Sequence, residues 1–218
     1  MRWLVLALVL VGPERVAFAH TPGKLTADKP FVVDDPTNSK ALYGIFHTGK
    51  ERFVIQLTYE ERFAQPVEVL VPHADSLYVH RPAYAVVGPG LPAPSPDELA
   101  ALPVALPDGW GAEVDLNSIS PRPVIFESFT RRFFWSSDPL AVVFPAAASE
   151  IWVWSPEQTT GKFALGIGVE ESGDYLSAFN LSFGSAPHAA GEAQDRALAR
   201  ARVAVTRATD TGRRRSAR

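Results

Sequence analysis

Apolar and polar positions alternate along much of the chain. The clearest alternation runs from Arg52 to Tyr59, with Phe53, Ile55, Leu57 and Tyr59 on one side and Arg52, Val54, Gln56 and Thr58 on the other. A period of two is the mark of a strand with one face in a core. The stretch from Glu150 to Gly168 carries the same signal twice. Ile151 and Val153 alternate with Trp152 and Trp154, and after the turn Ser155 to Gly161 the residues Phe163, Leu165 and Ile167 alternate with Lys162, Ala164 and Gly166. Pro156 and Gly161 supply turn chemistry between the two runs. The pattern predicts two antiparallel strands joined as a hairpin that closes a β-sandwich.

Shorter runs predict further strands at Ala41 to Phe46, Pro66 to Val71, Leu77 to His80, Tyr84 to Val87 and Leu140 to Phe144. Pro66 and Pro72 bound the second of these, where ladder hydrogen bonds start and stop. Residues 20–38 read as an irregular lead-in punctuated by Pro22, Gly23, Pro30 and Pro36, with Phe31-Val32-Val33 as an added edge strand. The least regular part is Gly88 to Pro123. Within it Ser95-Pro96-Asp97-Glu98 has the form of a capping box with proline at the first helical position, predicting one or two helical turns that end before Pro103. Val124 to Trp135 reads as a strand pair or a kinked strand. The expected fold is all-β, an antiparallel, jelly-roll-like sandwich with a short helix in a long middle loop.

Composition adds a compartment. Arg2, the apolar run Trp3 to Val11 and Ala17-Phe18-Ala19 make a signal peptide over residues 1–19, with an apolar segment too short to span a bilayer. The expected location is exported: periplasmic, secreted or at the cell surface. The chain has 19 prolines, 15 glycines and no cysteine. Disulfides, thiol nucleophiles and thiolate metal sites are thereby excluded. The formal charge of −3 hides an asymmetry. Residues 20–195 hold 11 basic and 22 acidic side chains, a net of −11, and residues 196–218 hold 8 basic and 1 acidic, a net of +7. The resulting division is a sandwich domain at 39–171, a linker at 172–190 and a basic Ala/Arg-rich tail at 191–218, of helix-favouring composition and partly disordered, suited to anionic surfaces. Asn180-Leu181-Ser182 is a glycosylation sequon. No transmembrane segment is expected in the mature chain, and nucleic-acid recognition has no supporting motif.

Candidate chemistry is sparse. Trp110, on a Pro-stiffened loop, is either a stacking platform for a ligand such as a sugar or a cap on the core. Glu127, Thr130 and Trp135 sit in an aromatic run, where a carboxylate must meet an arginine or backbone N–H groups. These four form the ligand-binding set, with no catalytic residue among them. Glycoside hydrolysis would need a second carboxylate beside Glu127. Cleavage after Ala19 would expose His20, whose amine and ring nitrogen chelate copper once a second imidazole joins them. His47, His73 and His80 are the candidate partners, with His188 further along. Asp34 and Asp35 read as a turn, since a calcium loop alternates several acids.

One resemblance rests on a series of motifs: Ala41-Leu-Tyr-Gly44; Val71-Pro72; Val87-Gly-Pro-Gly-Leu-Pro92; Trp110-Gly111; Phe126-Glu-Ser-Phe-Thr130 with Trp135; Trp152-Val-Trp-Ser-Pro156; and Gly161-Lys162 through Gly166-Ile-Gly168 to Glu170. In these residues, over about 34–171, the chain resembles a family of uncharacterised exported bacterial and archaeal proteins whose β-sandwich is similar to the bacterial pre-peptidase C-terminal (PPC-like) domain. The resemblance implies a noncatalytic module for binding, secretion or stability beside other domains, and transfers no catalytic residue; no cofactor is expected, with copper as the alternative. Members often continue into a C-terminal membrane anchor, whereas no apolar run of that length follows Phe183 here. Two function classes result: a noncatalytic exported binding module of unknown ligand, and a copper protein built on His20.

Overall fold

The computed structural model describes residues 21–127 and 130–168. The expected signal peptide at 1–19, His20, the expected linker at 172–190 and the basic tail at 191–218 lie outside the described residues. Among those described, no helix is long and apolar enough to cross a membrane. The fold is all-β and sandwich-like. Twelve strands are described: β1 (Thr21–Lys24), β2 (Phe31–Val33), β3 (Lys40–Phe46), β4 (Arg52–Leu57), β5 (Phe63–Pro72), β6 (Ala83–Pro89), β7 (Trp110–Asp115), β8 (Val124–Glu127), β9 (Arg132–Ser136), β10 (Leu140–Phe144), β11 (Ser149–Trp154) and β12 (Gly161–Ile167). Among the described residues one α-helix, α1 (Pro96–Ala101), lies between β6 and β7.

The strands form two sheets. The first runs β1-β3-β12-β5-β9-β8, with β10 pairing β5 beside β9; the second runs β2-β4-β11-β6-β7. Their facing sides carry the alternating residues picked out by periodicity: Phe53, Ile55 and Leu57 from β4, Ile151 and Val153 from β11, and Phe163, Leu165 and Ile167 from β12 are all buried in one cluster. Val67, Val69 and Val71 join them from β5. Burial of each such side chain contributes roughly 1.5–3 kcal/mol. Phe46, Phe53 and Phe163 meet at centroid distances of 5.0 to 5.1 Å near one end of the core.

The second sheet has a second covered face. Ala83, Ala85, Val87, Ala112, Trp152 and Trp154 form a cluster on its outer side, and Leu102, Leu106 and Trp110 pack against it. The loop between β6 and β7 therefore lies over this sheet as a third layer. It is stiffened by α1, whose capping box is complete: Ser95 Oγ accepts from the Glu98 N–H, and the Glu98 carboxylate accepts from the Ser95 N–H at 2.8 Å.

Three expectations are corrected. First, β11 and β12 are not a paired hairpin: β11 pairs with β4 and β6, while β12 pairs with β3 and β5, so the turn between them crosses from one sheet to the other. Alternation assigns faces to a strand but no neighbours, and both assigned faces are right. Second, Leu77 to His80 is not a strand. Asp75–Leu77 is a 3₁₀ turn, with His80 N–H donating to Leu77 O at 3.0 Å. Third, the sandwich is not wholly antiparallel. β1 pairs with β3 and β2 with β4 in parallel, both at sheet edges. The lead-in thus supplies one strand to each sheet, and Thr21–Lys24 was hidden by its proline and glycine.

Candidate functional site

One end of the sandwich gathers aromatic rings and cationic side chains. After β5 stops at Pro72, the 3₁₀ turn carries Tyr78 and Val79 outward, 45% and 67% exposed, and then turns His80 inward to 1%. The His80 ring packs edge-on against Phe46 at 5.5 Å, and its Nδ1 meets Thr159 Oγ1 at 2.9 Å. Gly161 accommodates it, because a Cβ there would lie 2.6 Å from His80 Cδ2. Burial, and then the Arg122 charge, push the His80 ring down to about 4, so the imidazole is neutral at physiological pH.

Arg122 enters the same end from the loop that follows β7. It is buried, and its Nη1 donates to Tyr78 O at 3.2 Å and to His80 O at 3.0 Å. Nε and Nη2 are also buried, and neither has a partner among the described residues. Burial, and then the neighbouring Arg81, lower its pKa to about 10, which leaves it charged at neutral pH. Arg81 donates from Nη1 to Asn117 O and Ile119 O, both at 2.9 Å, and its guanidinium stands 5.9 Å from the Tyr78 ring. The two arginines thus staple the loop to the 3₁₀ turn through backbone carbonyls rather than carboxylates.

Trp135 completes the cluster. Its ring lies 4.1 Å from that of His73 at an interplanar angle of 35°, 5.3 Å from Tyr78, and 5.8 Å from the Arg122 guanidinium carbon. Its indole Nε1 is buried with no partner among the described residues. Phe133, 37% exposed, borders His73 at 6.5 Å and Phe126 at 5.1 Å. The arrangement places ring faces beside two guanidinium groups, with the Arg122 Nε and Nη2 and the Trp135 Nε1 buried behind them and without partners among the described residues.

Of the four residues of the predicted ligand set, Glu127 and Thr130 meet, while Trp135 and Trp110 stand apart from them and from each other. Register across the β8–β9 hairpin pairs Val124 with Trp135 and Glu127 with Arg132. Trp135 packs with the inter-sheet core, while Ile125 and Phe134 belong to the cluster on the outer face. Glu127 shares the parity of that outer face and sits across from Arg132, and its Oε2 accepts from Thr130 N–H at 2.6 Å. Burial, and then Glu127, raise the nearby Tyr43 hydroxyl to about 12. Thr130 closes the turn, its Oγ1 buried. Trp110 belongs to the other sheet, where it borders a groove of about 220 Å³ with Gln56, Thr58 and Glu150. Glu150 is held there by Trp152 Nε1 at 2.7 Å and Gln56 Nε2 at 3.1 Å.

Of the histidines, His20 and His188 lie outside the described residues. His47 is in the exposed turn between β3 and β4, where its N–H and that of Thr48 donate to Glu51 at 2.8 Å, His73 stacks on Trp135, and His80 is buried. Among the described residues no three His, Asp or Glu side chains group as a metal site. Asp35 accepts from Thr37 N–H, Thr37 Oγ1 and Asn38 Nδ2, the turn expected for it. Sequence reasoning missed Arg122, Arg81 and Tyr78. Nothing around Arg122 marks it except the flanking Pro121 and Pro123. No family model matches the chain, and no curated protein matches it.

Proposed function

We propose that this is a noncatalytic, exported β-sandwich module that binds a ligand at the end of the sandwich built around Trp135, in keeping with the PPC-like resemblance. The observation that carries the reading is the ring cluster itself. His73, Tyr78 and Phe133 are exposed around a half-buried Trp135 that rests on the core, so a rigid base presents apolar ring faces to solvent. Exposed rings backed by a rigid sheet bind flat or apolar faces of a ligand at small entropic cost. Export is supported by the signal-peptide pattern of residues 1–19, and a ligand outside the cytoplasm follows from it.

Affinity electrophoresis through gels containing a neutral glucan or polygalacturonate tests the reading against a paired variant, Tyr78→Ala with Phe133→Ala. Both side chains are partly exposed, so the fold should survive their truncation. Retardation of the wild type in either gel, lost in the variant at an unchanged melting midpoint, is the expected result. Equal mobility of both proteins in every gel would overturn it.

A further inference from the structure

A buried guanidinium with no carboxylate beside it is expensive, because desolvation is not repaid by an opposite charge. Arg122 is 4% exposed and, among the described residues, is held by two carbonyls through Nη1 and by the Trp135 ring. The pair it leaves free, Nε and Nη2, is the side-on edge of the guanidinium, whose two parallel N–H bonds match the two oxygens of a carboxylate or phosphoryl group. The indole N–H of Trp135, whose ring centroid lies 5.8 Å from the guanidinium carbon, is a third donor with no partner among the described residues. Its other charged neighbour is Arg81, itself committed to carbonyls, so among the described residues nothing negative on this side of the loop competes for the edge.

We propose that the Nε–Nη2 edge of Arg122 and the indole N–H of Trp135 form a seat for an oxyanion, carried by the ligand as a carboxylate or phosphoryl group. The inference rests on the reading of this end as a binding surface and gives that ligand its chemical class. Tyr78 and His73 flank Trp135 on its exposed side, so the remainder of an anionic ligand would lie on their rings while its charged group reaches inward. Arg122 serves both as staple, through Nη1, and as anchor, through the opposite edge.

The test is titration of the full chain with sodium acetate, galacturonate and inorganic phosphate at constant ionic strength, following the Arg122 Nε–H resonance by NMR. Arg122→Lys assigns the signal, and Trp135→Phe keeps a ring in place while deleting the third donor. The expected result is a saturable shift of the Arg122 Nε–H and of the Trp135 indole N–H, with a rise in melting midpoint of about 5 °C at a hundredfold excess over Kd. Trp135→Phe should weaken binding about tenfold, the loss of one hydrogen bond to a charged group. Response to both carboxylates but not phosphate names the group as a carboxylate, and the reverse names it as phosphoryl. No saturable shift with any of the three would overturn the seat, leaving those donors to buried water. Gel retardation lost in the Tyr78 and Phe133 variant with the Arg122 signal unmoved by anions would sink the seat alone. Saturable anion shifts without retardation in any gel would sink the surface reading and keep the seat.

Discussion

Phe163 lies over Gly44. The two residues are directly paired across the β3–β12 ladder, and a Cβ on Gly44 would come to 2.4 Å from Cε1 and Cζ of the ring. The ring has no room to retreat, because Phe46 and Phe53 each hold it at 5.1 Å. Gly44→Ala is therefore expected to destabilise the domain by about 2–3 kcal/mol through overpacking. Urea denaturation measures it, and in a double-mutant cycle Phe163→Leu should recover part of the loss. A cost of less than about 0.5 kcal/mol, the range of surface substitutions, would show that the ring does not sit where described.

His80 predicts an acid-sensitive fold. Its folded pKa of about 4 lies below the unfolded value of 6.5, so the unfolded chain binds the extra proton first as pH falls. The contribution is whole above pH 6.5 and is lost progressively down to about pH 4. At about 1.4 kcal/mol per unit of pKa, discounted for relaxation around the ring, the loss should be roughly 1–3 kcal/mol. Melting midpoints of wild type and His80→Gln across that window check it: the wild-type curve should fall more steeply, and parallel curves would contradict it.

Glu68 predicts the opposite slope. Burial raises its pKa, Ser136 Oγ donates to Oε2 at 2.8 Å, and Asp138 adds repulsion. A carboxyl whose folded pKa is raised contributes stability that is present below the unfolded value and lost as pH rises through the folded one. Glu68→Gln should thus be more stable than wild type at pH 8, with the difference closing towards pH 4. Chemical denaturation at the two pH values decides the sign.

Ser95→Ala should loosen one layer without unfolding the molecule. The hydroxyl caps α1 through the Glu98 N–H at 3.3 Å, and α1 itself buries no residue. Removing the cap costs about 1 kcal/mol. Amide exchange should accelerate in Asp97 to Ala101 while β11 and β12 keep their protection. Equal acceleration throughout would mean that the covering loop and the sandwich open together.

The faces of the strands were legible in the sequence because burial imposes a period of two: Ile151 and Val153 on one strand, and Phe163, Leu165 and Ile167 on the next, all point to the core as their alternation requires. Partners were not, because β11 and β12 are adjacent in the chain but belong to different sheets. The capping box of α1 was readable from four residues, since its hydrogen bonds are local. Trp135 was legible as a candidate by type alone. Arg122 was not, because its role depends on carbonyls of Tyr78 and His80, 44 and 42 positions upstream, which no local pattern encodes.

The crossing turn between β11 and β12 has a consequence for how the molecule comes into being. β11 is the middle strand of the second sheet, and β12 lies between β3 and β5 in the first. Until both arrive, β3 has only the short parallel β1 beside it and β4 only the short β2, pairings too small to persist alone. The two layers are completed by one segment at the end of the described chain, so neither half forms ahead of the other. A chain still emerging can pair β6 with β7 and β5 with β9 and β10, but it can close neither sheet until β11 and β12 have both appeared.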